Sequence, residues 1–224
     1  MSAFAQWLDT FFAGFDGAIL NFWHDVATTG FGKSFFTAFM KFVSFTGEEG
    51  IFLITVGILL LLFKNTRKAG LCVLLAVAFG GLITNLALKH TIARVRPFNC
   101  GNELYREFWE FVGATKVGET SFPSGHTTSV MAATLALCFA RGKKYIPVCI
   151  IYVTLTGISR NYLMVHYPTD VIGGVVAGAL AAIFGYIVTK LILKLLEKHS
   201  ENKACNFMLN SDIKNIFKKK EAVK

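Results

Sequence analysis

Long apolar runs alternate with short polar clusters along most of the chain. The runs extend over Gly50 to Phe63, Ala69 to Leu88, Ser124 to Ala140, Tyr145 to Leu163 and Asp170 to Leu195. A helix needs about 20 residues to cross roughly 30 Å of hydrocarbon, so the last four meet or approach the length of a membrane span. The first is short unless its helix begins near Gly47 and carries Glu48 and Glu49 at the lipid surface. Ahead of it, Phe4 to Phe12 and Ser34 to Phe45 place aromatics at helical spacing, interrupted by Asp9 or Lys41. That pattern predicts amphipathic helices lying in the interface on the outer side, with a re-entrant or sixth spanning helix as the second reading. The start lacks a basic stretch followed by an unbroken apolar one, so no cleavable signal peptide is expected. The expected architecture is all-α: a polytopic membrane helical bundle of about five transmembrane helices preceded by N-terminal interfacial helices. It divides into an interfacial segment 1–49, a membrane core 50–196 and a basic tail 197–224.

Composition agrees, since 54% of the residues are hydrophobic, more than a soluble domain of this length usually carries. Charge then orients the bundle, because Lys and Arg accumulate in short cytoplasmic loops. Lys64, Arg67 and Lys68 fill one connection, Arg141, Lys143 and Lys144 another, and lysines crowd the tail after Lys190, ending in the run Lys218 to Lys220. These segments alternate correctly with five spans to share the cytoplasmic side. The loop from Lys89 to Pro123 and the turn near His166 then fall on the extracytoplasmic face of a cell membrane. The formal net charge of +9 reflects this topology and attraction of the tail to the inner leaflet, with no nucleic-acid partner expected. Among five cysteines, Cys72, Cys138 and Cys149 fall in spans and Cys205 in the tail, leaving Cys100 alone in the outer loop without an internal disulfide partner. No residues have zinc-ligand spacing, and no internal repeat is present.

Candidate chemistry sits in three polar stretches beside these runs. Lys89 and Arg96 are seven apart, so a helix continued past Leu88 would project both from one face, with Pro97 stopping it. Arg94 would point away from that pair, toward lipid headgroups or solvent. Taken singly, such cations at a helix end equally suit snorkelling to the interface. Pro123-Ser124-Gly125-His126 opens the third span. There Ser124 can cap the helix, Gly125 lets backbone approach an anion, and the unpaired N–H groups of the first turn suit a phosphate. His126 sits where it could protonate a leaving oxygen, although a capping serine beside an incidental histidine would read the same. Ser159-Arg160 closes the fourth span, where a buried arginine needs an anion or a cavity and its planar fork suits phosphate. His166 and Asp170 are four apart, so the carboxylate can fix one ring nitrogen while the other attacks. Asp170 can equally cap the fifth span, and the two roles can coexist.

Together, Lys89 to Pro97, Pro123 to His126 and Ser159-Arg160 through His166 and Asp170 resemble, in residue type, spacing and order, the three signature motifs of the type 2 phosphatidic acid phosphatase superfamily. The resemblance implies that His166 attacks phosphorus to form a phosphohistidine, oriented by Asp170, and that His126 protonates the leaving group. It implies that Lys89, Arg96, Ser124, Gly125 and Arg160 hold the phosphoryl oxygens, so that no metal and no cofactor is required. The implied activity is an integral-membrane lipid phosphatase that releases inorganic phosphate from a membrane lipid phosphate or diphosphate: phosphatidate, phosphatidylglycerophosphate or undecaprenyl diphosphate. An anion carrier would spread its charges through several spans, and a catalytically silent lipid-binding relative would have lost a motif histidine or cation. The residues between Phe98 and Phe122 carry no readable selectivity code. Trp109 there suits core packing better than headgroup anchoring.

Overall fold

A computed structural model describes residues 1–28 and 35–214. Ser34, the side chain of Glu49 and the lysine run Lys218 to Lys220 lie outside the described residues. The N-terminal region folds as α1 (Ala3–Phe11), α2 (Ala13–Thr28) and α3 (Thr37–Thr46). Next come α4 (Ile51–Leu61), α5 (Arg67–Gly81) and, after a π-helical stretch Leu82–Leu88, α6 (Lys89–Ile92). They are followed by α7 (Glu103–Phe111), α8 (Gly125–Arg141), α9 (Ile146–Tyr162), α10 (Pro168–Lys198) and α11 (Lys203–Asn210). Among the described residues the sole β-type pairing is an isolated bridge between Val95 and Thr120.

Every apolar run forms a helix, and what faces inward is small. Cys72, Val73 and Ala76 of α5, Ala132, Ala133 and Ala136 of α8, and Ala181 and Ala182 of α10 make the bundle core. The same α10 exposes Ile172, Val176, Leu180, Ile187 and Leu191. Small residues inward and large apolar ones outward is the arrangement of helices solvated by lipid, where close backbone approach drives packing. At Gly178 the helices come into backbone contact: a Cβ there would fall 2.6 Å from the Thr128 carbonyl oxygen of α8.

By length and composition, the continuous helices Arg67–Ile92 (26 residues) and Pro168–Lys198 (31 residues) can each cross a membrane. Helices α8 and α9 have 17 residues each, about 25 Å at ~1.5 Å per residue. The first apolar run does not extend back to Gly47. A 3₁₀ turn over Glu48–Gly50, with Gly50 at φ 71°, separates α3 from α4, and the two helices meet at a 48° bend; taken together they form a third candidate span, or a re-entrant loop. The chain is thus a helical membrane bundle.

The N-terminal helices pack on one end of it. Ser2 caps α1 by accepting from the Ala5 N–H; Ala5 and Leu8 are buried, while Phe4, Trp7 and Phe11 are exposed, an aromatic face suited to the membrane interface. The region between Phe98 and Phe122 is not simply a loop, because Asn102 caps α7 through the Leu104 N–H. Trp109 stacks on Phe98 with ring centres 4.4 Å apart and donates to the Thr115 carbonyl, so it packs within the fold.

The basic connections gather at the opposite end. Arg141 donates to the Asn65 carbonyl at 2.8 Å and Arg67 to that of Leu209 at 2.9 Å, so both short loops and the start of the tail meet there. The ends of α6 and α9 and the starts of α8 and α10 meet at the other, and these carry the three polar stretches.

Candidate active site

Each polar stretch is positioned by a helix terminus. Ser124 is the N-cap of α8, its Oγ accepting from the Thr127 hydroxyl at 3.0 Å. Its own N–H donates to the Asp170 carbonyl at 3.0 Å, which ties the start of α8 to the start of α10. Residues 163–167 form a buried turn between α9 and α10, closed when Asn161 donates to the His166 carbonyl at 2.9 Å. Tyr167 caps α10, its N–H donating to Asp170 Oδ2 at 2.8 Å.

These termini enclose a cavity of about 570 Å³ lined by Lys89, Arg96, Gly125, His126, Arg160 and His166. Six of the eight residues singled out from sequence therefore share one wall. The other two stand behind it: Ser124 is buried as the cap, and Asp170 is fully buried beneath His166. Lys89 and Arg96 do meet, but not through helical periodicity. The helix ends at Ile92, where Ala93 adopts φ 48°, and Val95 bridges to Thr120, so Arg96 is delivered by an extended turn. Its buried guanidinium donates to the Val165 carbonyl at 2.6 Å and to the Gly118 carbonyl.

The Arg96 contact with His166 fixes a tautomer. Nη1 of Arg96 lies 3.2 Å from His166 Nε2, and since a guanidinium only donates, Nε2 is the unprotonated nitrogen. The proton is then on Nδ1, which is buried 3.6 Å from Asp170 Oδ2. Burial, reinforced by Arg96, Arg160 and Lys89, holds the His166 imidazole well below its ordinary pKa, with the Ser121 backbone opposing weakly. His166 is neutral at pH 7. Arg96, held down to about 10 chiefly by burial, keeps its charge. Arg160 is buried and donates from Nη1 to the Ser44 hydroxyl, leaving Nε without a hydrogen-bond partner.

Arg94 corrects the expectation made for it. It is absent from the cavity but faces neither lipid nor water, being 1% exposed. Its guanidinium donates to Asp9 at 2.8 Å, Asp16 at 2.9 Å, Asp170 at 2.7 Å and Thr169 Oγ1 at 2.7 Å, and stacks 4.0 Å from the Tyr167 ring centre. Asp16 also accepts from the N–H and hydroxyl of Thr169. Asp16 was the missed residue with a signal, as a carboxylate in the otherwise apolar face of α2. Thr84, Glu48 and Lys116 also line the cavity. Thr84 lies on the π-helical stretch with its buried hydroxyl unpartnered, and such stretches recur at functional sites. Among the described residues, no group of three His, Cys, Asp or Glu side chains converges in a way that could hold a metal.

Fold and cavity together define a polytopic helical membrane protein with its polar site at one end of the bundle. Residues 69–193 match the model of the PAP2 superfamily, and the chain belongs to that family. It is 34% identical over 140 residues to an undecaprenyl-diphosphatase of Sulfolobus acidocaldarius, covering 62% of this chain and 64% of that one. It is also 34% identical over 165 residues to a lipid A 1-phosphatase of Rhizobium johnstonii, covering 71% and 64%. The chain therefore spans just under two thirds of the length of these relatives. The crystal structure of a phosphatidylglycerolphosphate phosphatase from Bacillus subtilis has the same fold, with a TM-score of 0.62 and 23% identity over 84% of this chain and 89% of that one.

Proposed function

We propose that the protein is an integral-membrane lipid phosphatase working through a phosphohistidine. The observation that carries this reading is the neutral, tautomer-fixed His166 in contact with Arg96 on the wall of a cavity also lined by Lys89, Arg160 and His126. A phosphoryl group entering there takes up the N–H donors of Arg96 and Arg160 and the charge of Lys89. Nε2 of His166 forms a bond to phosphorus as the bond to the leaving oxygen breaks. His126 gives its proton to that oxygen, then removes one from water, whose oxygen displaces Nε2 and frees inorganic phosphate. Asp170 lies beside Nδ1, where it stabilises the positive charge the ring acquires. Ser124 contributes by holding the start of α8, and Gly125 by leaving its backbone open to the anion. Lys89, Arg96 and Arg160 neutralise the phosphoryl oxygens, so the reading requires no metal. The names of the relatives support a lipid phosphate or diphosphate as substrate. Clustering of the cations at one end argues against a carrier, and the complete motif set against a silent relative.

Two measurements test this. Purified protein in detergent and chelator is expected to release phosphate from phosphatidate, phosphatidylglycerophosphate or undecaprenyl diphosphate; release from none of them would sink the reading. Because the folded protein holds His166 below its ordinary pKa, the attacking form persists as pH falls. The acid limb of kcat/KM, which reports the free enzyme, is expected below about pH 6.5. A limb at or above that value contradicts the assignment.

The basic connections and tail are proposed to be cytoplasmic and the site extracytoplasmic. Cys100 is exposed near the site end, whereas Cys72, Cys138 and Cys149 are buried and Cys205 lies toward the basic end. A membrane-impermeant maleimide is expected to label intact cells, and Cys100→Ser to remove the label. Labelling of Cys100 only after lysis would reverse the topology.

A further inference from the structure

The cavity continues past His126 into a second chamber of about 190 Å³. Lys116, His126 and Arg160 line both chambers and so form their boundary; Lys41 lines only the second. Glu48 also lines both chambers and is the one carboxylate among their described lining residues, so cations outnumber it on both sides. Lys41 is held there by construction. Gly113 follows the C-terminus of α7 at φ +101°, and a Cβ at that position would collide with Lys41 Nζ. The missing side chain admits the ammonium beside the carbonyl end of a helix, where a cation is favoured. Arg160, buried on the shared boundary, keeps Nε without a partner. On the far side, Phe45 lines the chamber and is 70% exposed on the bundle surface, an apolar edge that suits a lipid chain.

We propose that Lys41, Lys116 and Arg160 form a second phosphoryl subsite, across His126 from the first, and that the protein acts preferentially on lipid diphosphates. This rests on the phosphatase reading above. The terminal phosphoryl group occupies the His166 chamber and the lipid-linked one the Lys41 chamber, which leaves the bridging oxygen at the boundary beside His126. Attack by His166 Nε2 on the terminal phosphorus breaks its bond to the bridging oxygen. That oxygen leaves with the lipid monophosphate and takes the His126 proton, and water then releases the terminal group as inorganic phosphate. A lipid monophosphate fills only the first chamber and gains nothing from Lys41.

The test compares farnesyl diphosphate with farnesyl monophosphate, which share one chain, on the full-length protein and on its Lys41→Gln/Lys116→Gln variant. Both lysines are exposed, so the variant is expected to fold, as size-exclusion in detergent would verify. The diphosphate-to-monophosphate ratio of kcat/KM is expected to fall at least about tenfold in the variant, and to be retained in Lys41→Arg. An unchanged ratio overturns the subsite. Calorimetric binding of inorganic diphosphate against orthophosphate reads the same preference without turnover, and its ratio must fall in parallel. If the unmodified protein hydrolyses neither lipid, the phosphatase reading fails, while the binding ratio still decides the subsite.

Discussion

His166→Ala is expected to lower phosphate release by about 10⁴-fold or more, as loss of a covalent nucleophile does elsewhere, with the protein still folded and still binding phosphate. The imidazole is a neutral, nucleophilic group buried against the cavity cations, and a methyl in its place leaves Arg96, Lys89 and Arg160 intact. Those cations can hold a phosphoryl group but cannot accept a covalent bond. Release within about tenfold of the unmodified protein would remove His166 from the nucleophile role. His126→Ala separates the second histidine by leaving group. A lipid alkoxide needs a proton to depart, and the substitution is expected to cost about 10²–10⁴-fold there. With an aryl phosphate whose phenolate leaves unaided, the loss is expected to shrink. Equal losses on both substrates would mean that His126 positions the phosphate and does not act as the acid.

Much of the bundle was legible because hydrocarbon imposes a local rule: each apolar run long enough to cross must be a helix, and all five runs are. The site residues were legible for a related reason, since Lys89, Ser124 to His126, Arg160 and His166 lie at termini of those runs, where one end of the bundle collects them. What escaped depends on chain that is distant in sequence. The periodicity placing Lys89 and Arg96 on one face gave the right meeting for the wrong cause, since nothing local announced the left-handed Ala93 that ends the helix. Helix α7 was hidden in a polar region whose amphipathic spacing, Leu104, Phe108 and Phe111, was available but unread. Lys41 appeared only as an interruption in an aromatic stretch, and its ammonium reaches the site end because Gly113 makes room. Arg94 was the least legible. Its neighbours within the motif say nothing of Asp9 and Asp16, which arrive from helices at the far N-terminus.

Arg94→Ala is expected to produce a large loss of stability although the residue lies outside the cavity. The guanidinium donates to three carboxylates, of which Asp170 is fully buried, Asp16 nearly so, and Asp9 34% exposed at its side chain. Water can compensate Asp9 but not the other two. Removing the cation leaves buried carboxylates facing one another, a change that typically costs about 3–5 kcal/mol. For a chain of this size that is a fall in melting temperature on the order of 10 °C. Arg94→Lys is expected to recover only part, because an ammonium cannot reproduce a planar fork that reaches Asp9, Asp16, Thr169 and Asp170 at once. The same geometry gives the cluster a positioning role. Asp170 stands 3.6 Å from His166 Nδ1, and Arg94 holds its other oxygen, so whatever loosens Arg94 also loosens the carboxylate beneath the His166 ring. Asp16→Asn separates the two effects, since the amide oxygen can still accept from the Thr169 N–H while one buried negative charge disappears. If the cluster positions Asp170, the folded Arg94→Lys protein loses kcat with little change in KM, and Asp16→Asn loses less. A variant that melts lower yet keeps full kcat would reduce Arg94 to a strut joining the N-terminal helices to α10.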